Sequence, residues 1–78
     1  MKLKDFREEL NASCPVLVYY KQLKKQEIVY CSTSLLADVK QCEPYFNNLV
    51  LNYQLERFTN GARKSITIEI FKPQRKRG

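Results

Sequence analysis

Asn60-Gly61 stands between two runs in which apolar and polar residues alternate, and no other dipeptide in this chain constrains the fold as much. Asn-Gly is the preferred pair for a two-residue type I′ hairpin turn, because both central positions need positive φ. With that turn Thr59 faces Ala62. Leu55, Tyr53 and Leu51 then face Ile66, Ile68 and Ile70 on one side, while Glu56, Gln54 and Asn52 face Ser65, Thr67 and Glu69 on the other. A one-residue slip would pair core with solvent. The pattern therefore predicts a hairpin over 49–58 and 64–72 with Tyr53 opposite Ile68.

The rest of the chain supplies partners for that hairpin. In "KLKDFREELN" the apolar Leu3, Phe6 and Leu10 recur at spacings of three and four, which predicts a short helix with Asn11 as its stop. Beyond the breaker Cys14-Pro15, "VLVYY" (16–20) and "EIVYC" (27–31) read as strands of a second hairpin across the polar loop "KQLKKQ". "STS" (32–34) is an N-cap for a second helix through Leu35, Leu36 and Val39, which Pro44 limits to two or three turns. The expected order is α-β-β-α-β-β in a single α+β domain over 1–72. Its four strands form one antiparallel sheet, and both helices cover the face of Leu51, Tyr53, Leu55, Ile66, Ile68 and Ile70. Residues 73–78 read as a basic, disordered tail. The chain has two helix-then-hairpin halves whose residues do not match.

Charge is distributed unevenly. In residues 1–56 seven Lys/Arg balance seven Asp/Glu, whereas in 57–78 seven Lys/Arg face Glu69 alone, so the whole net charge of +6 belongs to the last hairpin and the tail. Seventy-eight residues allow one small core and no second domain. Cys14, Cys31 and Cys42 lie too far apart for the paired spacing of zinc sites, and no histidine is present to complete one. No metal and no cofactor is expected. The odd cysteine count, and a start that lacks the apolar core of a signal peptide, point to buried free thiols in the cytoplasm. No run is long enough to span a bilayer. Without histidine, and with no activating partner for any cysteine, the chain is not expected to be an enzyme.

Two kinds of binding remain. Lys21, Lys24 and Lys25 in the first loop, Arg63 and Lys64 near the turn, and Lys72, Arg75, Lys76 and Arg77 at the end could meet nucleic-acid phosphates without sequence specificity. The open face of the last hairpin, with Asn52, Gln54, Glu56, Thr67 and Glu69, offers no aromatic platform for bases. A protein partner is the leading expectation. Val50 and Phe71 would pair on the otherwise polar face, Phe58 lies on the same face beside the turn, and "CEPYFNNL" adds Tyr45 at the surface, with Phe46 the better candidate for the core.

The layout "MKLKDFREEL…VLVYYK…QEIVYC…SITIEI" resembles small proteins of bacterial phages and mobile elements, a group that includes anti-CRISPR inhibitors of host defence. That resemblance implies a non-catalytic inhibitor that binds a protein in the host cytoplasm. It is one of size and layout and carries no functional residue across. The basic balance departs from the acidic mimicry of nucleic acid found in that group. "CPVLVYYK" and "ITIEIFK" are also similar to strands of C2 domains, but Cys14 and Lys72 stand where calcium-binding aspartates would be needed.

Overall fold

A computed structural model describes residues 1–11 and 13–73; most of the expected tail, 74–78, lies outside the described residues. Four strands, β1 (Val16–Gln22), β2 (Lys25–Cys31), β3 (Val50–Arg57) and β4 (Arg63–Ile70), form one sheet in the order β2-β1-β4-β3. Each hairpin is antiparallel, but β1 and β4 run parallel where the hairpins meet, with Val16 beside Ile66 and Tyr19 beside Glu69. The sheet is mixed, which corrects the all-antiparallel expectation; the α+β class stands. The inner strands carry the β-branched alternation. Val16, Val18, Ile66, Ile68 and Ile70 are buried, while β2 and β3 are mostly exposed.

Those five side chains form one cluster with Cys14, Tyr30, Cys42 and the helical residues Leu3, Phe6 and Leu10. Each fully buried aliphatic side chain contributes about 1.5–3 kcal/mol. The N-terminal segment is a 3-10 turn, Leu3–Phe6, running into α1, Arg7–Leu10, with the apolar side inward as the spacing predicts. Asp5 Oδ2 accepts from the Lys2 N–H at 2.8 Å and so caps the start. Asn11 ends the helix, its N–H and Nδ2 both donating to the Arg7 carbonyl. The Phe6 ring meets Tyr53 edge-on, 5.1 Å between centroids.

The second helix differs from expectation. Residues 35–36 form a turn, and a 3-10 helix occupies Val39–Tyr45 with Pro44 inside it. Two local competitions explain the shift. Ser32 is taken by the sheet: its Oγ accepts from the Val16 N–H at 2.7 Å, and its own N–H donates to the Val16 carbonyl. Asp38 then supplies the cap, its Oδ1 accepting from the Lys40 N–H at 2.9 Å.

The second hairpin keeps the expected register only in its middle. Asn52, Tyr53, Gln54, Leu55 and Glu56 pair with Glu69, Ile68, Thr67, Ile66 and Ser65, but each end contains a bulge. Near the turn Lys64 is the extra residue. The loop there is three residues long, with Phe58 N–H bonded to the Ala62 carbonyl, Gly61 N–H to the Phe58 carbonyl, and φ of +87° at Gly61. This is the geometry of a turn followed by a left-handed glycine. It replaces the type I′ turn because Asn60 stays at negative φ and its Oδ1 instead accepts from the Ala62 N–H. At the far end Leu51 is the extra residue, so Val50 pairs with Ile70 and not with Phe71. Leu51 and Tyr53, expected under the helices, are about half exposed at the sheet's edge.

The first hairpin closes on the two-residue turn Leu23-Lys24, shorter than the six-residue loop expected. Leu23 has φ of +58°, the only positive value among the described non-glycine residues. A left-handed residue with a side chain costs about 1–2 kcal/mol. The two positive-φ positions therefore give opposite expectations. Gly61→Val should lower stability by about 1–2 kcal/mol, through backbone strain alone because nothing lies within 4 Å of an added Cβ. Leu23→Gly should raise the melting temperature by about 2–4 °C, since relief of strain exceeds the added chain entropy of glycine. Thermal unfolding of both variants by circular dichroism checks the pair; a Leu23→Gly protein that melts lower contradicts the strain.

Candidate binding surfaces

Because β1 and β4 are parallel, the tip of the first hairpin and the C-terminal end of β4 share one end of the sheet. β1 pairs with β4 only as far as Tyr19, so Tyr20–Gln22 and Lys25–Glu27 continue as a two-stranded arm. The arm end carries Lys21, Lys24 and Lys25, with Leu23 at its tip 96 % exposed. Lys72 and Phe71 follow β4 at the same end, where the Phe71 N–H bonds to the Leu49 carbonyl and the Val50 N–H to the Met1 carbonyl. Arg63 and Lys64 lie at the opposite end, beside the Thr59–Gly61 loop. The expected cationic set is thus split: five described lysines and one arginine occupy two ends, and Arg75, Lys76 and Arg77 lie outside the described residues.

The expected protein-binding residues are not brought together either. Tyr45 and Val50 pack against the core and are only partly exposed. Phe58 and Phe71 are about half exposed but sit at opposite ends of the second hairpin. Phe46 also packs against the core, with the Arg7 guanidinium 5.8 Å from its ring, while Lys64 lies 6.0 Å from the ring of Phe58.

Leu35 and Leu36, which sequence reasoning put on a helix, are the most exposed apolar pair among the described residues, at 103 % and 84 %. Their loop leaves the end of the sheet opposite the arm and is held by its own hydrogen bonds. Ser34 N–H donates to the Cys31 carbonyl, Ala37 N–H to the Ser34 carbonyl, and Gln41 Nε2 to the Leu36 carbonyl at 3.0 Å. The signal available in "STSLLAD" was the cluster of turn-favouring Ser and Thr directly before the leucines. Leu23 had a similar signal, a lone apolar residue among lysines at a turn.

The uncovered sheet face is polar on its β3–β4 half, as read. On the β1 side Tyr19 donates from its hydroxyl to Glu69 Oε1 at 3.3 Å. Burial raises the Tyr19 pKa, and the neighbouring Glu69 charge adds to the shift. Burial likewise raises Tyr30, with Cys42 adding to it. The one ion pair among the described residues, Arg63–Glu9 at 3.9 Å, is partly solvated and contributes little. No group of three His, Cys, Asp or Glu side chains gathers among the described residues. No helix there is long and apolar enough to cross a membrane.

All three cysteines are free, but only Cys14 and Cys42 are buried. Cys31 is half-buried, and a hydrogen bond from the Thr33 hydroxyl, 3.1 Å away, lowers its pKa with help from backbone N–H groups. Burial pushes the Cys42 thiol up to about 11. Comparison with family models, with curated proteins and with solved structures finds no match to this chain.

The cysteines set a pH dependence. An unfolded chain releases the Cys42 proton near pH 9, while the folded chain holds it to about 11. Stability is therefore fully present below pH 9 and falls as pH rises through 11, by at most about 1.4 kcal/mol per pH unit for this one group. The raised Tyr19 and Tyr30 add to the fall in the same direction. Urea midpoints measured from pH 7 to 11 should show the decline, and Cys42→Ala should make it shallower. In the native protein a thiol reagent should modify Cys31 first.

Proposed function

We propose that the protein is a non-catalytic binding module whose partner is another protein, engaged through the loop that presents Leu35 and Leu36. The observation that carries this reading is that the loop is built to expose them. Several hydrogen bonds between Cys31 and Gln41 order a turn that leaves Leu35 and Leu36 almost fully exposed. Ordering each residue costs about 1–2 kcal/mol of chain entropy, and here that ordering buries neither leucine. Two adjacent, pre-organised leucines form an anchor that can enter an apolar pocket without further ordering.

The remaining terms of the proposal follow from layout. The size and element order that resemble phage-encoded inhibitors make a host-defence protein the first partner to test, in the cytoplasm of the host. The test is cross-linking and capture from host lysate, with nuclease treatment, using the intact chain and a Leu35→Ser/Leu36→Ser variant. Each leucine fully buried in an interface adds about 1.5–3 kcal/mol, so the double variant should weaken capture of the same protein by more than 100-fold while leaving the melting temperature unchanged. Capture that survives both substitutions, or that disappears with nuclease alone, overturns the reading.

A further inference from the structure

We infer that the opposite, basic end of the sheet docks on an anionic lipid bilayer, with Leu23 reaching below the headgroups and Lys21, Lys24, Lys25 and Lys72 lying among them. The inference stands apart from the Leu35–Leu36 loop and rests on three observations at one place. Leu23 is 96 % exposed at the tip of an arm that projects past the four-stranded part of the sheet. It holds φ of +58° in a turn where glycine would carry no strain, so a large apolar side chain is maintained there against the local backbone preference. The parallel register of β1 and β4 adds Lys72 to the three arm lysines.

Charge complementarity selects the occupant. None of the four lysines has an ion-pair partner among the described residues, and the acids on the strands here are Glu27 and Glu69, the latter hydrogen-bonded to Tyr19. A single leucine ringed by ammonium groups suits an interface that is apolar within and anionic at its rim. Lysine stems follow the leucine inward while the ammonium groups stay with the headgroups. A duplex would neutralise the lysines but would admit Leu23 only as a wedge that unstacks a base step, and the tip has no aromatic for a single-stranded base. A protein pocket deep enough for Leu23 would strip water from several ammonium groups at once.

The experiment is flotation of the full chain with vesicles of phosphatidylcholine alone and with about 30 mol % phosphatidylglycerol, an anionic fraction that attracts basic segments. Binding is expected only with the anionic lipid, reversibly. Leu23→Ser should reduce the partition coefficient roughly 10–100-fold, and Lys24→Gln/Lys25→Gln about 25-fold, at about fivefold for each lysine. Leu23→Gly should match the loss of Leu23→Ser while melting no lower than the parent, which separates binding from folding. Leu35→Ser/Leu36→Ser should partition as the parent does, so failure at one end is distinguishable from failure at the other. Equal binding to neutral vesicles, or binding indifferent to Leu23, overturns the inference. So does an oligonucleotide that binds more tightly than the vesicles at physiological salt and is unaffected by Leu23→Ser.

Discussion

The parallel contact between β1 and β4 is the joint on which the remaining structure depends. It places Val16 beside Ile66 and Val18 beside Ile68, all buried, and the Ile66 N–H continues the ladder to the Pro15 carbonyl at 2.9 Å. Neither hairpin is independently stable at this length, since two strands with one apolar face need a further strand or a helix to cover it. Joining the hairpins along their most apolar strands gives one continuous apolar face, over which Leu3, Phe6, Leu10 and Cys42 close. The same joint decides what shares an end of the molecule: the arm with the C-terminal residues, and the Leu35–Leu36 loop with the Thr59–Gly61 turn.

Such an arrangement leaves β2 and β3 as edges, and edges invite pairing with other chains. β3 is guarded along its outer side. Lys2 bridges to Leu49, Val50 N–H bonds to the Met1 carbonyl, Leu3 N–H bonds to the Asn48 carbonyl, and the Tyr53 N–H is taken by the Asn52 side chain at 2.8 Å. The Leu51 bulge twists that stretch further from a flat template. β2 has charges in place of a cover, Lys25 and Glu27 on its exposed half, and an irregularity in its pairing with β1 between Val18 and Tyr19. The N-terminal residues thus serve both the core, through Leu3, and the protection of an edge.

What was legible in the chain follows the range of the interactions. Helix faces depend on spacing within a few residues and the middle of the second hairpin on alternation either side of one turn, and Leu3, Phe6, Leu10 and the Tyr53–Ile68 pair stand where spacing put them. The details that shifted were decided by competition for the same groups. Asn-Gly supports a two-residue turn, but Asn60 gains a hydrogen bond to Ala62 N–H in the three-residue one. Ser32 could cap a helix, but the start of β1 claims both its hydroxyl and its N–H. Strand order depends on contacts across fifty residues of chain, as between Val16 and Ile66, and hairpin registers say nothing about which strands of two hairpins meet or in which direction. The one available hint was composition: the two strands richest in alternating Val and Ile became the inner pair.

The proposed binding modes depend on where the exposed apolar residues lie. Scattered exposed leucines are ordinary on any protein surface, so their number matters less than their placement. Among the described residues ten large apolar side chains are exposed against eleven in the buried cluster, and a fold this small cannot cover more with two short helices. Yet the broad uncovered face of the second hairpin carries Asn52, Gln54, Thr67 and Glu69, and most of the exposed apolar side chains sit at the two ends or along the β3 edge. Polar residues on that face keep it solvated, while the ends are formed by turns whose conformations are locally fixed. A flat partner laid across the sheet would meet amides and carboxylates; a surface met end-on would meet leucines. For the two binding modes proposed above, the geometry therefore favours end-on contact, in which a few protruding side chains would meet the partner and the sheet would be the support behind them.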